Sequence, residues 1–107
     1  MSFLRACALS ELTDSTPLRV EVDGLDVALV RHGDEVFAIE DECSHAAVAL
    51  SEGDVDDCTI ECWMHGSRFD LRTGKPTGPP ATEPAPVFPV QVTGDDVLID
   101  IEQPLAG

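Results

Sequence analysis

Long apolar runs are missing from this chain. The longest, such as Ala46 to Leu50, span a few residues, where about 20 are needed to cross a bilayer as a helix. Positive charge is equally scarce: six Lys and Arg face 21 Asp and Glu, a formal net charge of −15. Nucleic acid and anionic membrane are bound by neutralising phosphates with cations, so both are excluded as partners. The opening Met1-Ser2-Phe3-Leu4-Arg5 lacks the charged-then-apolar layout of a secretory signal, and the expectation is a soluble cytoplasmic protein. No helical periodicity runs for long, no internal repeat appears, and no nicotinamide or flavin fingerprint is present. Tyrosine is absent altogether.

At 107 residues the expectation is one domain, residues 1–107, with a modest core to which a bound cofactor would add folding energy. The acidic surface suits basic protein partners and would speed encounter with them at low ionic strength; it serves solubility equally well. Four cysteines without a secretory signal point to metal or redox chemistry, not to a disulfide frame. Cys43 and Cys62 each have a histidine just downstream, whereas Cys7 and Cys58 have none.

The pattern is all-β. Leu18-Arg19-Val20-Glu21-Val22 alternates with period two, Asp23-Gly24 turns the chain, and Val27 to Val30 returns. His32-Gly33-Asp34 makes a second turn before Val36 to Ile39. Near the end, Val87 to Val92 and Val97 to Ile101 flank Thr93-Gly94-Asp95-Asp96 as a hairpin, with Pro89 at an edge or bulge. Between these scaffolds lies a loop-built insert, about residues 41–86. Six of the eight prolines fall between Pro76 and Pro89, which rules out an ordinary central strand there. The predicted fold is a small antiparallel β-sandwich or barrel-like scaffold carrying that insert at one tip.

Within the insert, Cys43-Ser44-His45 and Cys62-Trp63-Met64-His65 are separated by sixteen residues. Two thiolates and two imidazoles suit either zinc or an iron–sulfur cluster. The one-residue gap between Cys43 and His45 is unusual for structural zinc. With both cysteines on one iron and both histidines on the other, the four residues match a Rieske cluster. Here the sequence resembles the Rieske family: Cys43-x-His45, sixteen residues, then Cys62-x-x-His65-Gly66. Leu50 and Gly53, Phe69 and Thr73-Gly74, and Gly78-Pro79-Pro80 extend the likeness over nearly the whole chain.

The resemblance implies one [2Fe–2S] cluster, with Cys43 and Cys62 on the buried iron and His45 and His65 on the iron nearer solvent. Two ferric ions, two sulfides and two thiolates then carry no net charge, whereas four thiolates would leave a doubly negative group. Rieske potentials accordingly span roughly −150 to +300 mV, against about −400 mV for plant-type ferredoxins. High-potential members carry a disulfide between the cluster loops, at positions matching Val48 and Met64, and this chain lacks it. Ser67 matches their serine, which bonds a bridging sulfide, but Phe69 replaces their tyrosine. Fewer hydrogen bonds to sulfur and the surrounding acidity predict a potential in the lower part of the range.

Small, disulfide-free Rieske proteins resemble the ferredoxin components of multicomponent oxygenases. The role implied is to take one electron from a reductase and deliver it to a terminal, ring-hydroxylating oxygenase, both with basic docking patches. The electron would leave through the His45 and His65 edge, framed by Gly66 and Gly78 to Ala81. With no second metal motif, the chain is expected to be a monomeric carrier and not an enzyme by itself. Two alternatives stand beside it: the small Rieske-like subunit of an assimilatory nitrite reductase, and a redox helper in iron–sulfur metabolism. Cys7 and Cys58 are read as structural thiols, Trp63 as either docking or packing, and Asp54, Asp56 and Asp57 as a solvated acidic face. His32 is read as a solvated turn residue.

Overall fold

The computed structural model describes residues 3–33, 35–42, 48–56, 58–63, 66–77 and 84–102. Among these residues, ten strands form three antiparallel sheets: β1 (Leu4–Ala8), β2 (Leu18–Val22), β3 (Leu25–His32), β4 (Glu35–Glu40), β5 (Val55–Asp56), β6 (Thr59–Glu61), β7 (Arg68–Asp70), β8 (Val87–Phe88), β9 (Val90–Thr93) and β10 (Asp96–Ile99). The sheet orders are β1-β10-β9, β2-β3-β4-β8 and β5-β6-β7. The antiparallel all-β class read from the period-two segments holds.

The β2–β3 hairpin turns at Asp23 (φ 50°) and Gly24 (φ 84°), the two left-handed residues that match a two-residue turn to strand twist. Val22 then lies opposite Leu25 and Leu18 opposite Leu29. The Val27–Val30 run has no polar alternation because β3 is covered on both faces. Val27 and Leu29 join one core with Cys7, Leu12, Ala38, Phe88, Val97 and Ile99. Ala28 and Val30 join a second with Ile39, Leu50, Ile60, Cys62, Phe69, Leu71 and Val87. The β2-β3-β4-β8 sheet is thus shared between two cores, one under β1-β10-β9 and one under β5-β6-β7.

Three features depart from the sequence expectation. The strand expected over Val87 to Val92 is split at Pro89 into β8, which pairs with β4, and β9, which pairs with β10; both are edge strands, so the edge placement expected of Pro89 holds. A residue without an N–H marks the point where the chain changes sheets. The 41–86 insert is also not built of loops alone, since β5, β6 and β7 form its own sheet. Finally, β1 was not legible: Leu4-Arg5-Ala6-Cys7-Ala8 has no clean alternation, because its register shifts between Arg5 and Cys7 against β10.

Candidate metal centre

Strand β6 ends at Glu61, and the next residue is Cys62, one of the four expected ligands. Its backbone N–H donates to the Ser67 carbonyl at 2.7 Å, and the Gly66 N–H donates to the Cys62 carbonyl at 2.8 Å. These two bonds tie Cys62 to Gly66 and Ser67 just before β7 begins. Gly66 has φ 77°, left-handed backbone that a Cβ would strain. Cys62 is fully buried and Ser67 is 1% exposed, while Trp63 between them is 51% exposed. One thiol therefore points into the second core and an indole into solvent.

Cys43, His45 and His65 lie outside the described residues, as do Pro79 and the rest of Gly78 to Ala81. What is described are the two ends of the first ligand segment. On the entering side, the Asp41 N–H donates to the Asp26 carbonyl at 3.0 Å. The Asp41 carboxylate, wholly buried as a side chain, accepts from the Ser51 N–H and the Ser51 hydroxyl, each at 2.7 Å. On the leaving side, Leu50 is fully buried at the start of a 3₁₀ turn, Leu50–Glu52. A Cβ on the next residue, Gly53, would lie 1.7 Å from the Glu61 carbonyl oxygen. The Glu61 N–H donates to the Asp54 carbonyl at 2.8 Å. The two ligand-bearing segments are thus seated on each other through backbone contacts.

The second segment has its own brace. Gly74 (φ 78°) has the Ala85 carbonyl oxygen 1.9 Å from where a Cβ would sit, and its own carbonyl accepts from the Ala85 N–H at 2.9 Å. Pro76 bridges to Phe69, and the Thr77 N–H donates to the Arg68 carbonyl at 2.8 Å. Of the proline-rich arm's described ends, the first lies against β7, and the second is held by Gly74 and by the Glu40 N–H, which donates to the Pro86 carbonyl at 2.8 Å. Phe69 is wholly buried in the same core as Cys62 and brings no hydroxyl to it.

Cys62, the one assigned ligand among the described residues, has surroundings that suit the cluster its pattern implies. A thiolate buried among Leu50, Ile60 and Phe69 would be a costly bare charge, and coordination to ferric iron removes that cost. Cys58, with φ 61° and 3% exposure, accepts the Leu71 N–H at 3.0 Å through its carbonyl, the structural placement expected of it. Cys7 is buried in the other core, and burial pushes its thiol up. Asp54 and Asp56 are exposed, as expected of an acidic face, and Asp57 lies outside the described residues. His32 departs from the expectation: it ends β3 half-buried, and its Nδ1 is buried with no hydrogen-bond partner among the described residues. Asp41, Ser51 and Gly53 as supports of the site were missed. Gly53 had been noted only as part of the family pattern, and an Asp two residues before a ligand carries no spacing signal of its own.

An open depression of about 180 Å³ is lined by Gly24, Leu25, Asp26, Glu40, Asp41 and Glu42. Burial, followed by the nearby Glu42 carboxylate, holds the Glu40 carboxyl above its ordinary range.

Residues 2–89 match the family model of the Rieske [2Fe-2S] domain. The biphenyl dioxygenase ferredoxin subunit of Pseudomonas sp. (strain KKS102) is 38% identical over 104 residues, covering 96% of this chain and 95% of that protein. The ferredoxin of carbazole 1,9a-dioxygenase from Nocardioides aromaticivorans IC177 superposes with a TM-score of 0.88 at 39% identity, over 92% of this chain and 97% of that one. A chain in a complex of reduced oxygenase and oxidised ferredoxin of carbazole 1,9a-dioxygenase matches with a TM-score of 0.85 at 40% identity, over 91% of each chain. A nitrite reductase small subunit shares the fold at 21% identity, a level that carries the fold alone. With its paired Cys/His segments, its β-braced tip and this likeness along almost its full length, the chain belongs to the Rieske [2Fe–2S] domain family.

Proposed function

We propose that this chain is a ferredoxin that takes single electrons from a reductase and passes them to a terminal, ring-hydroxylating oxygenase. The observation that carries this assignment is length for length: the chain and the dioxygenase ferredoxin subunit from Pseudomonas cover 96% and 95% of each other. The relatives matched over this length are named as ferredoxin subunits of dioxygenases, and on that likeness the protein is an electron carrier and not the catalyst. The alternative as a nitrite reductase small subunit has only fold-level support, and a helper role in iron–sulfur metabolism has no observation in its favour.

One Rieske [2Fe–2S] cluster, when bound, supplies a reversible one-electron couple. Cys43, His45, Cys62 and His65 are the residues assigned to hold it. Cys62 occupies the core side, because its side chain is buried. Gly66 and Ser67 hydrogen-bond the Cys62 backbone, while Phe69 keeps the core side dry. Trp63, half exposed beside Cys62, offers an apolar, rigid contact to a docked partner. The net charge of −15 favours basic patches on the reductase and oxygenase. Among the described residues no helix is long and apolar enough to cross a membrane. The proposed carrier is cytoplasmic and monomeric.

Replacing His65 with Ala tests the ligand assignment. The expected result is loss of the Rieske electron paramagnetic resonance signal and of the visible charge-transfer bands, with the β-rich circular dichroism retained. A variant that keeps the wild-type signal removes His65 from the ligand set.

A further inference from the structure

The Asp41 side chain is wholly buried, and Asp41 is bonded to Ser51 across the first ligand segment. Its own backbone leaves β4 and is held to β3 by the Asp26 carbonyl. Its two carboxylate oxygens divide between the Ser51 N–H and the Ser51 hydroxyl, both at 2.7 Å. A short charge-assisted pair of this kind ties Asp41, two residues before Cys43, to Ser51. The partial exposure of Ser51 leaves Asp41 as the buried half of the clasp. Arg19 Nε lies 3.6 Å from the same carboxylate, while Arg19 Nη2 is committed to Asp26 at 2.6 Å. Arg19 therefore offsets the buried charge without replacing the bonds to Ser51.

The clasp connects to the second ligand segment within a few residues. Ser51 lies in the 3₁₀ turn whose C-terminal neighbour, Gly53, sits directly against the Glu61 carbonyl. Glu61 in turn donates its N–H to Asp54 and immediately precedes Cys62. A continuous path of short contacts thus runs from two residues before Cys43 to the residue before Cys62.

We propose that Asp41 is a positioning residue for the cluster: its clasp on Ser51 sets the separation of the two ligand-bearing loops, which here have no disulfide between the positions of Val48 and Met64. The proposal rests on the assignment of Cys43 and Cys62 as ligands. Three variants separate the clasp from the charge. Asp41→Ala removes both bonds to Ser51. Ser51→Ala removes one and keeps the backbone bond. Asp41→Asn removes the charge but keeps both bonds, since its amide oxygen accepts the Ser51 N–H and its amide N–H donates to the Ser51 hydroxyl.

Each holoprotein is challenged with an iron chelator while the visible absorption is followed, and the dithionite-reduced form is examined by electron paramagnetic resonance. Asp41→Ala is expected to lose its cluster about tenfold faster than wild type, or more, with broadened resonance lines. Ser51→Ala falls between them, and Asp41→Asn stays within about twofold of wild type with narrow lines. Asp41→Ala matching wild type in rate and line shape would overturn the proposal. So would Asp41→Asn losing the cluster as fast as Asp41→Ala, since charge and not the clasp would then be at work. Where Asp41→Ala does not fold, Ser51→Ala decides: a loss rate equal to wild type overturns the clasp, and a faster one upholds it. A wild-type protein without a Rieske signal would instead strike the ligand assignment, a result read before any variant is made.

Discussion

At the scale of single residues, the site is defined by what surrounds one buried thiol. Cys62 sits in an apolar core with Phe69, the residue that by the family resemblance replaces a tyrosine. Phe69→Tyr adds an O–H on that side, and a hydrogen bond to ligand sulfur stabilises the reduced, more negative state. The reduction potential is expected to rise by roughly tens of millivolts, read by voltammetry. An unmoved potential would remove the hydrogen-bond part of the explanation. The ligand pattern itself was legible because Cys-x-His and Cys-x-x-His are local spacings that survive any fold. Asp41 and Ser51 were not, since ten residues separate them and nothing in either identity demands the other.

At the scale of elements, the first ligand segment depends on a close backbone approach. Gly53 has extended backbone, φ −92° and ψ −176°, so its requirement is space and not conformation. Gly53→Ala would drive a Cβ into the Glu61 carbonyl, forcing β6 and the 3₁₀ turn apart. The expected cost is about 2 kcal/mol or more, seen as a fall in Tm of roughly 8 °C or more. An unchanged Tm would mean that the two segments are not seated on each other as described. The end of β4 gives a pH dependence. The Glu40 carboxyl is raised in the folded protein, first by burial and then by Glu42, so the folded state binds the proton more tightly than the unfolded chain does. Stability from this group is therefore greatest when it is protonated and declines as pH rises from the ordinary carboxylate value through the raised one. Glu40→Gln should lack that decline, so the difference between the two stability–pH curves should carry it; an identical pair of curves would contradict it. Strands β2 to β4 and the final hairpin were readable from alternation and turn glycines. The β5-β6-β7 sheet was not, because Val55–Asp56 and its two partners are each two or three residues long, too short to show a period.

At the scale of the whole molecule, charge and layering divide the work. The central sheet, covered on both faces by the two cores, anchors the tip that carries Cys62, while 21 acidic residues against six basic ones govern encounter. Association with a basic electron-transfer partner is expected to slow steeply as ionic strength rises, because the Debye length shrinks from about 30 Å at 0.01 M to about 8 Å at 0.15 M. Stopped-flow reduction of the protein by its reductase, followed across that range, checks this; a rate independent of salt would assign the acidity to solubility alone. Fold class was legible at this scale, since β-alternation with turn signals allows few architectures. The sharing of one sheet between two cores was not, because the apolar run in β3 reads alike whether one or both of its faces are covered.

The most direct test of the central claim is the reduction potential of freshly purified protein at neutral pH, measured by voltammetry. A reversible one-electron wave at about −150 to 0 mV is the predicted result, the signature of a Rieske cluster with few hydrogen bonds to sulfur in an acidic protein. No wave, with iron and sulfide absent on analysis after anaerobic reconstitution, would contradict the cluster and return the two Cys/His pairs to zinc.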